Sequence, residues 1–83
     1  MSEMLLDAVK VGETIAKYRE KKGLTQEVLS GLSDIARTHL TAIENGKRKP
    51  TMETLYRISL ALDVRMSDII LDIESNLDAQ APE

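Results

Sequence analysis

Apolar residues recur at helical spacing in five stretches of the chain, and glycine, proline or polar residues separate one stretch from the next. Residues three and four apart share one face of an α-helix, so each stretch predicts a short amphipathic helix. No stretch has the strict alternation of a half-buried strand, and the prediction is therefore an all-α fold. The inward positions that we expect, in chain order, are Leu5, Val9, Ile15 and Tyr18; Val28, Leu29 and Leu32; Ile35, Leu40 and Ile43; Leu55, Ile58, Ala61 and Leu62; and Ile69, Ile70, Leu71 and Ile73.

Cap residues predict where the helices begin and end. The first helix should end at Lys21-Lys22-Gly23, because cations favour the negative end of the helix dipole and glycine readily closes a helix. Thr25 and Thr51 are expected to cap the second and fourth helices through their hydroxyl groups. The third helix should stop at Asn45-Gly46, and the fifth should begin near Ser67-Asp68.

The length of 83 residues is that of one small domain. Residues 1–74 are expected to form this domain, with its core over residues 11–70. Residues 75–83 offer little apolar surface to bury, so we expect a frayed C-terminal tail there.

The second and third helices are joined by about four residues, which are too few for an open hairpin. Ser30 is a small residue one turn before the break, and it lets the third helix approach the second closely. The unit is therefore a candidate helix-turn-helix over about residues 26–45.

The composition argues against several classes of site. The chain has no cysteine and one histidine, so we expect no disulfide, no metal site and no cofactor. No Ser/His/Asp or Cys/His set and no glycine-rich phosphate loop is recognisable, which argues against an enzyme and against a small-molecule ligand. No apolar run reaches the roughly 20 residues of a transmembrane helix, and the N-terminus carries acids where a signal peptide would carry basic residues. We therefore expect a soluble cytoplasmic protein with no membrane partner.

Charge is unevenly distributed along the chain. The net charge is −3, but residues 1–50 hold nine Lys or Arg against seven Asp or Glu, whereas residues 51–83 hold two against seven. This asymmetry predicts one face for a polyanion and an acidic remainder that faces away from it. Two tyrosines are too few for a protein that stacks the bases of a single strand, and a helix cannot read the narrow major groove of RNA. These observations argue against a single-stranded nucleic acid and, less strongly, against double-stranded RNA.

The segment from Gly23 to Val64 resembles the helix-turn-helix domain of Cro and repressor proteins, also called the Xre family. The resemblance rests on Leu24-Thr25-Gln26-Glu27, on Ser30 and on the run IENGKRKP at residues 43–50. It covers about residues 11–70 and implies a compact five-helix domain of the lambda-repressor-like type. Within the family, the Arg37-Thr38 pair followed by a ring side chain is similar to restriction–modification controller proteins.

The resemblance implies that the third helix enters the major groove of DNA and that the loop after it holds the phosphates. Arg37 can donate two parallel hydrogen bonds to guanine, and the methyl group of Thr38 or Ala42 can pack against that of thymine. The residues expected to read bases are Arg37, Thr38, Thr41 and Ala42. Those expected to contact phosphates are Gln26, His39, Asn45, Lys47, Arg48 and Lys49. Arg19 and Glu44 are expected to form a structural ion pair between the first and third helices.

Three positions depart from the family pattern, one of them Gly31 inside the second helix, which costs about 1 kcal/mol relative to alanine. Asp34 occupies the turn position that usually holds glycine, and Ala36 stands where Ser or Thr usually caps the third helix. A missing cap costs about 1 kcal/mol of stability.

A domain this small reads few base pairs, so we expect a homodimer on an inverted repeat. The fifth helix holds more apolar residues than one inward stripe needs. The residues expected at the dimer interface are Val64, Met66, Ile69, Ile70 and Ile73. The alternative is that these residues only close the core.

A second class of function also stays open, an antitoxin-like or bridging module whose main partner is another protein.

Overall fold

A computed structural model describes residues 4–80, and the environments of the side chains of residues 4–77. This part of the chain contains five α-helices and no strand, which confirms the all-α prediction. The helices are α1 (Ala8–Lys21), α2 (Gln26–Ser33), α3 (Arg37–Glu44), α4 (Met52–Leu62) and α5 (Met66–Gln80).

Side-chain caps begin three of the helices. The Asp7 carboxylate accepts a hydrogen bond from the Val9 amide at 2.9 Å and so starts α1. Thr25 and Thr51 accept from amides of the first turns of α2 and α4, each at 3.1 Å, and both predicted caps are confirmed. Each cap satisfies an amide that has no partner within its own helix.

The core is formed by one apolar face from every helix. Its fully buried members include Ile15, Leu29, Leu40, Ile58 and Ile69, none of which exposes any surface. The helices pack in neighbouring pairs, α1 with α3 and α5, α2 with α3 and α4, and α4 with α5. As a result, α3 lies against α1 and α2, and its remaining face is free.

The predicted inward face of the first helix is wrong in part. Leu5 is 69% exposed and Val9 is 49% exposed, whereas Val11 and Ile15 are buried. The Asp7 cap explains the difference, because the helix begins at Ala8 and Leu5 precedes it. On α2, Leu29 is buried as predicted, but Val28 and Leu32 face outward. A helix of eight residues buries only one narrow stripe, which here is completed by small serines.

The predicted frayed tail is also wrong for residues 75–80, because α5 continues to Gln80. The side-chain Nδ2 of Asn76 donates to Thr14 Oγ1 on α1 at 2.9 Å, and Leu77 packs against the core. These two contacts hold the C-terminal part of α5 against the rest of the fold, although its composition is mostly polar. Residues 81–83 of the predicted tail lie outside the described part of the chain.

Gly12 sets the distance between α1 and the end of α3. A Cβ atom at Gly12 would lie 2.2 Å from the carbonyl oxygen of Ile43 and 2.7 Å from that of Glu44. Only glycine permits this approach, so α3 is positioned by direct backbone contact with α1.

Candidate nucleic-acid interface

The turn between α2 and α3 is short because Asp34 adopts the left-handed conformation, with φ 57°. The amide of Ile35 donates back to the carbonyl oxygen of Ser30 at 3.0 Å, which closes α2. Nη1 of Arg57 on α4 lies 3.4 Å from the Asp34 carbonyl oxygen and holds the turn from outside. Asp34 thus fills the place usual for glycine, in the conformation that glycine would adopt there.

The outer face of α3 brings together the residues that the sequence predicts to read bases. Arg37 and Thr38 are exposed, and Thr41 and Ala42 are half-buried at the edges of the helix. Leu40 and Ile43 are fully buried on the opposite side, and they fix the rotation of the helix about its axis. Ala36 caps α3 with no side-chain hydrogen bond, as the sequence predicts.

The loop after α3 carries three exposed cations. Gly46, at φ 75°, turns the chain away from the helix axis, and the Lys47 amide donates to the Ala42 carbonyl oxygen at 2.9 Å. The Lys47, Arg48 and Lys49 side chains make no ion pair with any residue that the structure describes. Their charges are therefore available beside the exposed face of α3, and Asn45 is exposed between the two.

His39 lies on a different side of α3 from Thr41. Successive residues of an α-helix are rotated by about 100°, so His39 is almost opposite Thr41, where it is half-buried. Its predicted contact with a phosphate therefore stays a prediction, and it would be made from another side of the helix than the base contacts.

The predicted structural ion pair is present. Arg19 Nε and Nη2 donate to the two carboxylate oxygens of Glu44 at 2.7 and 3.0 Å, and Nη1 donates to the Leu24 carbonyl oxygen at 2.8 Å. The side chains of Arg19 and Glu44 are 14% and 4% exposed. The hydrogen bonds to Glu44 raise the pKa of Arg19 above its ordinary value. This pair fastens α1 to the C-terminal end of α3.

Gln26 and Thr41 belong to the same network, which was not predicted from the sequence. Gln26 Nε2 donates to Glu44 Oε1 at 2.9 Å, and Thr41 Oγ1 donates to Gln26 Oε1 at 2.9 Å. The spacing of Thr41 and Glu44, three residues apart on α3, was the available signal, because it places both on the side that faces α2. The Gln26 side chain is thus held against α3, beside an open groove lined by Arg19, Thr25, Gln26, Glu27 and Arg37.

The predicted dimer residues of α5 do not form one exposed surface. Ile69 has no exposed surface and Ile73 is 6% exposed, and both face the core, so their assignment to an interface is wrong. Val64 and Met66 are half-buried against the core, and Ile70 is 37% exposed. The other large exposed apolar side chains of α4 and α5 are Met52, Tyr56, Leu60 and Leu71, and further ones lie nearer the N-terminus, at Met4, Leu5, Leu6, Val9, Val28 and Leu32.

Other kinds of site are not evident in the described residues. No helix there is both long and apolar enough to cross a membrane. No three His, Asp or Glu side chains in that part of the chain come together as metal ligands would.

Comparison with known proteins agrees with this geometry. A family model described as Helix-turn-helix matches residues 15–69. The chain is 38% identical over 60 residues to the uncharacterized HTH-type transcriptional regulator y4dJ of Sinorhizobium fredii, which covers 72% of this chain and 78% of that protein. It is 37% identical over 67 residues to the control protein C.MunI of a Mycoplasma species, covering 80% of this chain and 90% of that protein.

A solved structure shows the same fold. The restriction–modification controller protein C.AhdI from Aeromonas hydrophila superposes with a TM-score of 0.75 at 31% identity, over 78% of this chain and 98% of that chain. The predicted resemblance to controller proteins is thereby confirmed, and the relatives are regulators rather than enzymes. The chain belongs to the helix-turn-helix family of DNA-binding transcriptional regulators.

Proposed function

We propose that the protein regulates transcription by binding a specific double-stranded DNA sequence with α3 in the major groove. The observation that carries the proposal is the outer face of α3, where Arg37 and Thr38 are exposed on a helix anchored from behind by buried Leu40 and Ile43. The major groove admits one α-helix, and each base pair presents a distinct pattern of donors, acceptors and methyl groups there. Arg37 is the residue suited to guanine, through two parallel hydrogen bonds to O6 and N7.

The cationic loop supplies the contacts that do not depend on sequence. Lys47, Arg48 and Lys49 follow α3 directly, and their positive charges are close to where the phosphates of the groove edge would lie. The acidic α5 packs against α1 and α4. An overall net charge of −3 is compatible with binding to DNA, because four of the 11 Lys and Arg residues (Arg37, Lys47, Arg48 and Lys49) lie on α3 and the loop after it.

The protein acts as a homodimer on an inverted repeat in this proposal. Met52, Tyr56 and Leu60 are spaced by four along α4 and lie on one of its faces, with 73%, 50% and 60% of their surfaces exposed. Ile70 and Leu71 add apolar surface on α5, which packs beside α4. This surface, here called the α4/α5 patch, replaces the predicted interface in which Ile69 and Ile73 took part. An apolar patch of this kind on a small protein supports association with a second copy.

Selection from random duplex DNA at moderate salt, followed by sequencing, tests the proposal. We expect an enriched inverted repeat with half-sites about one helical turn, ~34 Å, apart. Arg37→Ala should lose preference at one base pair per half-site, at a cost of about 1–3 kcal/mol of discrimination.

Arg48 in the cationic loop provides the matched control, because it allows the same arginine-to-alanine change outside α3. Arg48→Ala should weaken binding to all sequences by a similar factor and lower the salt dependence, without changing the selected motif. An absence of any enriched motif, or a motif that Arg37→Ala leaves intact, would contradict the proposal and favour a protein partner instead.

A further inference from the structure

We propose that Thr41 reads the methyl group at C5 of a pyrimidine, because a chain of hydrogen bonds that starts at Glu44 fixes its hydroxyl group. This inference rests on the proposed function, in which α3 lies in the major groove.

The direction of each hydrogen bond in the chain follows from the one before it. Glu44 pairs with Arg19, and a carboxylate in such a pair accepts hydrogen bonds and donates none. It therefore takes the NH₂ end of the Gln26 amide, at 2.9 Å. The carbonyl end of that amide then points to Thr41 and can only accept. The Thr41 hydroxyl donates to it at 2.9 Å and so commits its one proton.

A hydroxyl whose proton is committed in this way cannot donate to DNA. In the major groove, guanine presents N7 and O6, adenine presents N7 and thymine presents O4 as hydrogen-bond acceptors. None of these atoms can accept a hydrogen bond from Thr41. Adenine N6 and cytosine N4 are donors, but the Thr41 oxygen that could accept from them is directed at Gln26, 2.9 Å away. Thr41 is half-buried at the edge of the exposed face of α3, one turn after Arg37 and one turn before Asn45. The second branch at its Cβ is a methyl group in another staggered position, and this is the branch left for a base. Thr41 is therefore assigned an apolar contact.

The apolar group that a base offers in the major groove is the C5 methyl of thymine. A 5-methylcytosine carries the same group at the same place on a pyrimidine ring. Recognition of the methyl group itself thus predicts that both bases are favoured over their unmethylated counterparts, deoxyuridine and cytosine.

The experiment uses the full chain and the operator duplex obtained by selection, with binding followed by fluorescence anisotropy. Each thymine is replaced in turn by deoxyuridine, which removes only the methyl group. We expect at least one position per half-site at which affinity falls roughly fourfold, the effect of one buried methyl group, and the position that Thr41 contacts is the one whose penalty depends on Thr41. At that position, the protein should bind a duplex with 5-methylcytosine more tightly than one with cytosine, by a similar factor. This comparison distinguishes recognition of the methyl group from recognition of the rest of the base.

Two variants connect that position to Thr41. Thr41→Ser keeps the hydroxyl and its bond to Gln26 but lacks the methyl group, and the penalty for deoxyuridine should disappear. Thr41→Val keeps a methyl group and should keep the penalty. Thr38→Ser is the matched control, because it removes a methyl group from the same helix at a residue for which no bond to Gln26 is present. It should leave the penalty at the Thr41 position unchanged.

The outcomes distinguish the inference from the proposed function. A protein that selects no DNA sequence would overturn both. A selected operator that is indifferent to every deoxyuridine, or deoxyuridine penalties that all persist in Thr41→Ser, would overturn the inference alone. Circular dichroism of each variant confirms that the helices are intact before binding is compared.

Discussion

The ion pair between Arg19 and Glu44 is the residue-scale feature on which the position of α3 depends most. Glu44 is 4% exposed and accepts from Arg19 and Gln26, so its charge is balanced entirely by protein groups. Such a pair is a weak source of net stability, because both charges lose their hydration. Removal of one partner is different, since it leaves the other charge buried and unpaired.

We predict that Arg19→Met lowers the free energy of unfolding by about 3–5 kcal/mol. The double variant Arg19→Met with Glu44→Gln should recover much of this loss, because it removes the unpaired charge and keeps an acceptor for Gln26. Arg57→Met is the matched control, because the contacts of Arg57 with Glu53 and Asp34 are made at an exposed position and their loss should cost about 1 kcal/mol or less. Urea unfolding measures all three, and a double variant as unstable as the single one would contradict the argument.

Tyr18 connects α1 to α5 through a second residue-scale contact. Its hydroxyl donates to Asp72, and this hydrogen bond, with burial and the charges of Asp72 and Asp68, raises the pKa of Tyr18 to about 12. The contact should stabilise the fold fully below the ordinary pKa of 10.0 and lose that effect as the pH rises through about 12.

We predict that the phenol of Tyr18 titrates with a midpoint near 12. The chain has two tyrosines, so the ultraviolet absorbance of Tyr56→Phe reports Tyr18 alone. Addition of Asp72→Asn should lower the midpoint, because the ionised partner is removed. A midpoint at the ordinary value before that change would mean that the α1–α5 contact is not made in solution, provided that circular dichroism shows a folded chain at the titration midpoint.

At the scale of the elements, the contact between α1 and α3 determines where α3 lies. Gly12 presses its backbone against the carbonyl oxygens of Ile43 and Glu44, and these atoms cannot rotate away as a side chain would. The same surface of α3 holds the Arg19 pair. Any displacement of this contact would therefore move both the helix and the network behind it.

We predict that Gly12→Ala lowers stability by about 1–3 kcal/mol or more, although alanine favours the helical conformation. Gly31→Ala is the control within the same fold, because a Cβ atom there meets nothing within 4 Å. That change should raise stability by up to about 1 kcal/mol. Thermal unfolding compares the two variants, and equal effects would show that the close approach of α1 to α3 does not matter.

The elements also show what the sequence could and could not predict. The caps at Thr25 and Thr51 were predictable because a hydroxyl before a helix satisfies a particular amide. The exposed side of α5 was not, since Ile69, Ile70 and Leu71 are consecutive and apolar content alone does not say which of them faces inward. The extension of α5 depends on Asn76 and Thr14, which are distant in sequence. The Gln26–Thr41 bond likewise depends on how two helices meet.

At the scale of the whole molecule, the proposed function uses two separate surfaces. The proposed DNA face consists of α3 and the loop with Lys47, Arg48 and Lys49, and the α4/α5 patch lies on other helices. In this proposal one surface binds DNA while the other associates with a second copy. Two half-sites bound by one dimer combine their discrimination, which a single small domain cannot supply against a genome of competing sites.

We predict that Leu60→Glu converts the proposed dimer to a monomer, because it places a charge within the apolar stripe on α4. Leu32→Glu on α2 is the matched control, since Leu32 is 61% exposed and Leu60 is 60% exposed, and only Leu60 belongs to the patch. Sedimentation equilibrium should show a dimer for the wild type and for Leu32→Glu.

Operator binding by Leu60→Glu should weaken, and its affinity should become equal for a half-site and for the full inverted repeat. A Leu60→Glu variant that remains dimeric would place the interface elsewhere on the molecule, whereas a wild type that is monomeric at all concentrations would exclude the dimer itself.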